Sequence, residues 1–140
     1  MVSRKTTTLG AGLAVALVGM LLAGCAAMTQ SASKEELVRQ RATERAEAFV
    51  KQDFARAYAL MTPSYRKLRD ADGYRRSVGG GAIWQKAEVG NVACEEQRCK
   101  VALKVSVKPL IPGKFNDTIS VQFEETWLLE DGNWWLHQAL

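Results

Sequence analysis

Hydrophobic and polar positions recur along this chain with two different periods. From Ser33 the spacing is helical. Val38, Ala42, Ala46, Phe49 and Val50 fall on one stripe, and Lys34, Arg39, Arg41, Glu44, Arg45, Glu47 and Lys51 fill a solvated remainder. Ser33 is placed to cap this helix, with Glu35 and Glu36 in its first turn near the positive end of the dipole. Asp53 starts a second, shorter helix, "FARAYALM", whose core side carries Phe54, Tyr58 and Met61. Thr62-Pro63 is a cap followed by proline at the first helical position, so "SYRKLRD" is a third short helix. Asp72 is the expected cap of a fourth, "GYRRSV". Gly79, Gly80 and Gly81 close the helical half. They do not form a phosphate loop, because no Lys-Ser/Thr follows and no strand precedes them.

The second half changes to a period of two. In "VALKVSVK", Val101, Leu103, Val105 and Val107 share one face, and Lys100, Lys104 and Lys108 lie on the side of the alternate positions. The turn signals "CEEQRC", "IPGKFND" and "EDGN" divide the strands with no helical pattern between them, which predicts an antiparallel sheet of about four strands. If Glu96-Gln97 is a two-residue turn, Cys94 faces Cys99 at a non-hydrogen-bonded pair, where α-carbons about 4.5 Å apart suit a disulfide. A metal or redox role for these thiols fits poorly: the spacing is not Cys-x-x-Cys and the single histidine is far away in sequence. Asp131-Gly132 is a type I′ signal. Counting outward from it pairs Leu129 with Trp134, Trp127 with Leu136, Glu125 with Gln138 and Phe123 with Leu140 on one largely apolar face. The other face carries Glu124, Thr126, Leu128, Trp135 and His137, with Leu128 opposite Trp135 and His137 beside Thr126.

Composition adds bounds. The chain has 140 residues, 47% of them hydrophobic, enough for one packed domain once a leader is set aside. The formal charge is +4, but removing Arg4 and Lys5 takes 19 basic residues to 17 against 15 acidic, a balance of +2 that argues for no nucleic-acid partner. Arg4 and Lys5 precede an uncharged stretch, residues 9–22 ("LGAGLAVALVGMLL"), too short for the roughly 20 residues of a membrane span and arranged like a secretion signal. It ends in Leu22-Ala23-Gly24-Cys25, which resembles the bacterial lipobox. The resemblance implies cleavage before Cys25, acyl chains on its thiol and new terminus, and a membrane as partner through that lipid. Two or more chains anchor firmly, since each buried CH₂ contributes about 0.8 kcal/mol. Ala26 in place of aspartate implies, for a Gram-negative source, sorting to the periplasmic face of the outer membrane. The expected organisation is a signal peptide over 1–24, lipidated Cys25 and a tether over 25–33, and one α+β domain over 34–140.

Helices first, a turn at "KQDFARAYALMTPSYR", then an antiparallel sheet closing on "DG-x-WW": this order resembles the cone-shaped α+β superfamily of nuclear transport factor 2, which includes ketosteroid isomerase-like enzymes. The resemblance implies N-terminal helices packed on a strongly curved sheet that lines a pocket, with the outer face open to a dimer partner. The pocket candidates are Tyr58, Glu125, Trp127, Trp134 and Gln138, with Tyr65 also within possible reach of Glu125. A bulge at Glu124-Glu125, or pairing with Gln138, would remove the carboxylate from any pocket. The interface candidates are Leu128 and Trp135. No catalytic constellation, cofactor or metal set can be assigned. The function expected is a lipid-anchored, non-catalytic binding or assembly domain, with a homodimer or an envelope protein on the outer sheet face. The alternatives are a binder of a small apolar ligand and, more remotely, an isomerase-like enzyme. Arg66, Lys67, Arg69, Arg75 and Arg76 form the one dense basic group, read as a solvated helical rim or a surface for anionic lipid or glycan.

Overall fold

The computed structural model describes residues 31–110 and 117–139; Cys25, the lipobox, most of the "IPGKFND" turn and Leu140 lie outside them. Four helices precede four strands: α1 (Lys34–Val50), α2 (Phe54–Ala59), α3 (Pro63–Leu68), α4 (Ala71–Val78), β1 (Ala82–Glu95), β2 (Arg98–Pro109), β3 (Ile119–Glu130) and β4 (Asn133–His137). Each helix begins at a side-chain cap. Ser33 accepts from the Glu36 amide, Asp53 from Arg56, Thr62 from Tyr65 and Asp70 from Gly73. The cap of α4 is therefore Asp70 rather than Asp72, which sits inside the first turn. The earlier residue wins because its extended backbone (φ −74°, ψ 171°) leaves its carboxylate free to reach an amide three residues on.

The sheet is antiparallel in the order β1-β2-β3-β4. Val101, Leu103, Val105 and Val107 of β2 are buried against the helices, and Lys100, Lys104 and Lys108 are exposed, as the alternation predicts. β1 is long and irregular. Its register against β2 shifts between Trp84 and Lys86 and again between Val89 and Val92. Such bulges bend a strand locally. Arg39 of α1 caps the second irregularity by donating to the Gly90 carbonyl at 2.8 Å. At the other edge, the link between α2 and α3 pairs with β4: Leu136 donates to Leu60 at 2.8 Å and Thr62 donates to Leu136 at 3.1 Å. That covers an edge which would otherwise present unpaired backbone groups.

The two hairpin turns among the described residues behave as expected. Asp131 (φ 50°) and Gly132 (φ 75°) are both left-handed, as a type I′ turn requires. Cys94 pairs with Cys99 across the first hairpin, and the two are joined by a disulfide with α-carbons 4.0 Å apart. The closed loop is short, so its loss should cost near the low end of the usual range, about 2 kcal/mol. Alkylation followed by mass spectrometry should label neither cysteine before reduction and both after it. Two labelled thiols in unreduced protein taken from an oxidising compartment would contradict the pairing.

Candidate functional site

The interior polar site is built by one helix and one strand. On β3, Glu125 lies opposite Val101, with Trp127 two residues on and on the same face. The β2–β3 register is continuous through Glu124-Glu125, so no bulge turns the carboxylate outward, and Glu125 is 5% exposed. Above it, α1 brings Arg45, 7% exposed. Ala42 and Ala46 flank this position, and their small side chains let helix and sheet approach. The Arg45 guanidinium lies over Phe49, 4.4 Å from the ring centroid, and reaches Glu125 through Nη1 to Oε1. Trp127 Nε1 donates to the other oxygen, Oε2, at 3.1 Å. Both carboxylate oxygens are thus engaged.

Tyr74 of α4 completes the cluster. It is fully buried, with its ring 5.7 Å from that of Tyr58 and 6.1 Å from that of Tyr65. Its hydroxyl and Arg45 Nε are buried polar atoms without a hydrogen-bond partner among the described residues. Burial pushes the Glu125 carboxyl above the ordinary carboxylate range, and the Arg45 charge and the Trp127 N–H oppose that rise. Burial likewise raises the Tyr74 phenol, against the pull of Arg45.

Several site expectations change. Gln138 lies beyond the end of β4 and is exposed; the partner of Glu125 is Arg45. The Tyr58 hydroxyl donates to the carbonyls of Arg66 (3.2 Å) and Arg69 (2.9 Å), so it holds the end of α3 rather than facing the carboxylate. Trp127 and Trp134, the other pocket candidates, are packed in the core, 0% and 4% exposed. Leu128 stands opposite Trp135, as the turn count requires. The indole is half-buried, however, and the chain supplies part of its cover: the guanidiniums of Arg41 and Arg66 lie over the ring. Arg45 is the residue that sequence reasoning missed, by assigning it to the solvated face. The available signal was its place seven residues after Val38 and four before Phe49, on the apolar stripe itself.

The larger hollows lie away from this cluster. A smaller one, of about 290 Å³, lies between α1 and β1 and is lined by Ala46, Val50, Ala87 and Val89 among others. Another, open to solvent, is bounded by Glu95, Glu96, Arg98 and residues 128–130.

Comparison with solved structures places this arrangement. A SEC-C motif containing protein from Psychrobacter arcticus superposes with a TM-score of 0.58 at 15% identity, over 78% of this chain and 63% of that one. A SEC-C motif containing protein from Rhodopseudomonas palustris gives 0.55 at 19% identity over 76% of each chain. A nuclear transport factor 2-like protein from Cytophaga hutchinsonii gives 0.51 at 16% identity, over 75% of this chain and 93% of that one. The fold is nuclear transport factor 2-like. No protein-family model matches the chain, and no curated protein matches it in sequence. At these identities the nuclear transport factor 2-like likeness concerns architecture alone, and architecture does not carry an activity.

Proposed function

We propose that the chain is a lipid-anchored envelope protein whose nuclear transport factor 2-like domain is a non-catalytic binding or assembly module. The observation that carries the non-catalytic part is the state of Glu125. A general base must reach the proton it removes. Here both carboxylate oxygens are already engaged, by Arg45 and Trp127, inside a buried cluster. A domain with its inner carboxylate closed in this way acts through its surface. The bulges of β1 support a sheet curved in the manner of the family's cone.

The anchor rests on the lipobox-like "LAGC" and the signal layout before it, and Ala26 favours the outer membrane. Labelling cells with radioactive palmitate should mark the wild-type chain, and Cys25→Ser should abolish the label and leave uncleaved precursor, because the thiol is the lipid acceptor. Label persisting in Cys25→Ser would refute the lipoprotein reading.

The small-ligand alternative draws support from the far end of the inner sheet face. Ile119 and Phe123 are 43% and 38% exposed there, and Phe123 meets Trp84 edge to face at 5.8 Å. Saturable binding of a neutral apolar dye that Phe123→Ser abolishes would favour that alternative.

A further inference from the structure

The β4 edge carries two cations with no counter-charge among the described residues. Arg41 of α1 and Arg66 of α3 each place a guanidinium over Trp135, at 5.0 and 4.9 Å from the ring centroid. The two charges therefore lie no more than about 10 Å apart, roughly one screening length at physiological salt, and repel one another. Some cations of the domain have carboxylate partners, Arg45 with Glu125, Arg56 with Glu44, Lys51 with Glu47 and Lys100 with Glu124, and others, Lys67 and Arg69 among them, have none among the described residues. Arg41 and Arg66 have no such partner among the described residues.

Each component is held from behind. Trp135 Nε1 donates to the Glu130 carbonyl at 3.2 Å, which fixes the ring. Arg41 Nε donates to the Trp134 carbonyl at 2.6 Å. The Arg66 backbone is held twice: its amide donates to Thr62 at 3.1 Å, and its carbonyl accepts from the Tyr58 hydroxyl. Arg66 Nε is buried and has no acceptor, and the terminal nitrogens of both guanidiniums find none among the described residues. Uncommitted guanidinium nitrogens suit a group with several acceptor oxygens and more than one negative charge. The indole shields one side of the cations from water, which strengthens their attraction for an anion.

We propose that Arg41, Arg66 and Trp135 form a binding site for a phosphate-type oxyanion, as carried by a phospholipid headgroup or by a free phosphate ester. This names the chemistry of one surface of the module proposed above. Its test is independent of acylation, so either idea can fail alone.

The full chain, in nonionic detergent, is titrated with inorganic phosphate, with glycerophosphoglycerol and with glycerol, while the indole N–H signal of Trp135 is followed by NMR. A saturable shift with a Kd of about 1 mM or tighter is expected for at least one phosphate compound and none for glycerol. Binding of the diester identifies a lipid headgroup as the source, and binding of inorganic phosphate alone identifies a free ester. Arg41→Gln and Arg66→Gln should each weaken binding about tenfold or more, and Lys67→Gln, at an exposed neighbour, should leave it unchanged. Arg66→Lys keeps the charge but loses the flat fork, so it should weaken binding at an unchanged denaturation midpoint, which separates recognition from folding. Absence of a saturable shift, equal loss in Lys67→Gln, or undiminished binding in both glutamine variants overturns the site.

Discussion

Trp127→Ala is expected to lower unfolding stability by about 3–5 kcal/mol, the range for deleting a large aromatic from a packed core. Trp127 is fully buried, faces Cys99 on one side and Leu136 on the other, and donates the only hydrogen bond that Glu125 Oε2 receives among the described residues. Truncation opens a cavity and also leaves a buried carboxylate oxygen without a donor, a penalty of about 1–3 kcal/mol by itself. The second contribution can be isolated. Trp127→Phe keeps most of the ring volume but removes the N–H, so it should lose less than alanine and more than a conservative core swap. Chemical denaturation of the three proteins measures this as a falling midpoint with an unchanged slope. Trp135→Ala is the contrast. Its ring is half-buried beneath two arginines, so its loss should be clearly smaller. If Trp127→Ala unfolded at the wild-type midpoint, the inner-face assignment of β3 would be wrong.

That assignment was legible in the sequence because a turn fixes parity. Once Asp131-Gly132 is the turn, every residue of β3 and β4 has a face, and Leu129/Trp134, Trp127/Leu136 and Leu128/Trp135 pair as counted. The disulfide followed from the same counting at Glu96-Gln97. The method fails where the period breaks. β1 slips register twice, near Gln85 and near Gly90-Asn91, so its apolar positions do not alternate cleanly along its whole length. It also fails past a strand end. Gln138 shares parity with Glu125, but β4 stops at His137 and leaves Gln138 in solvent. Arg45 shows a third limit. A charge on an amphipathic helix is usually solvated, and only the matching exception on the facing strand, Glu125, explains why this one is buried. The covered flank of Trp135 was not legible either, because Arg41 and Arg66 approach from two helices far from it in sequence.

Breaking the buried ion pair should have an effect as large as the loss of Trp127. Arg45→Met leaves the Glu125 carboxylate buried without its cation, and removing one member of such a pair typically costs about 3–5 kcal/mol. The deficit should depend on pH in a defined direction. Burial already holds the Glu125 carboxyl above its ordinary value, and losing Arg45 removes a charge that opposes the rise. A carboxyl whose folded pKa lies above its unfolded value binds its proton more tightly when folded. Stability therefore falls as pH rises from the ordinary carboxylate range through the raised folded value. The Arg45→Met deficit should be smallest in mild acid, where Glu125 is protonated, and largest near neutrality and above. A deficit that grew toward acid pH would mean that losing Arg45 lowers the Glu125 pKa instead of raising it, and so that Arg45 is not the cation paired with this carboxylate.

The interior as a closed, paired core rather than a working pocket is tested most directly by a double-mutant cycle on Arg45 and Glu125 at neutral pH. Unfolding free energies are measured for the wild type, Arg45→Met, Glu125→Gln and the double variant. The ion pair at the centre of the fold predicts that each single change is costly, Arg45→Met most of all. It also predicts that the double variant recovers much of that loss, because no uncompensated charge remains buried. Additive single effects, or a Glu125→Gln variant as stable as wild type, would show instead that the carboxylate is free of its partner and available to a ligand.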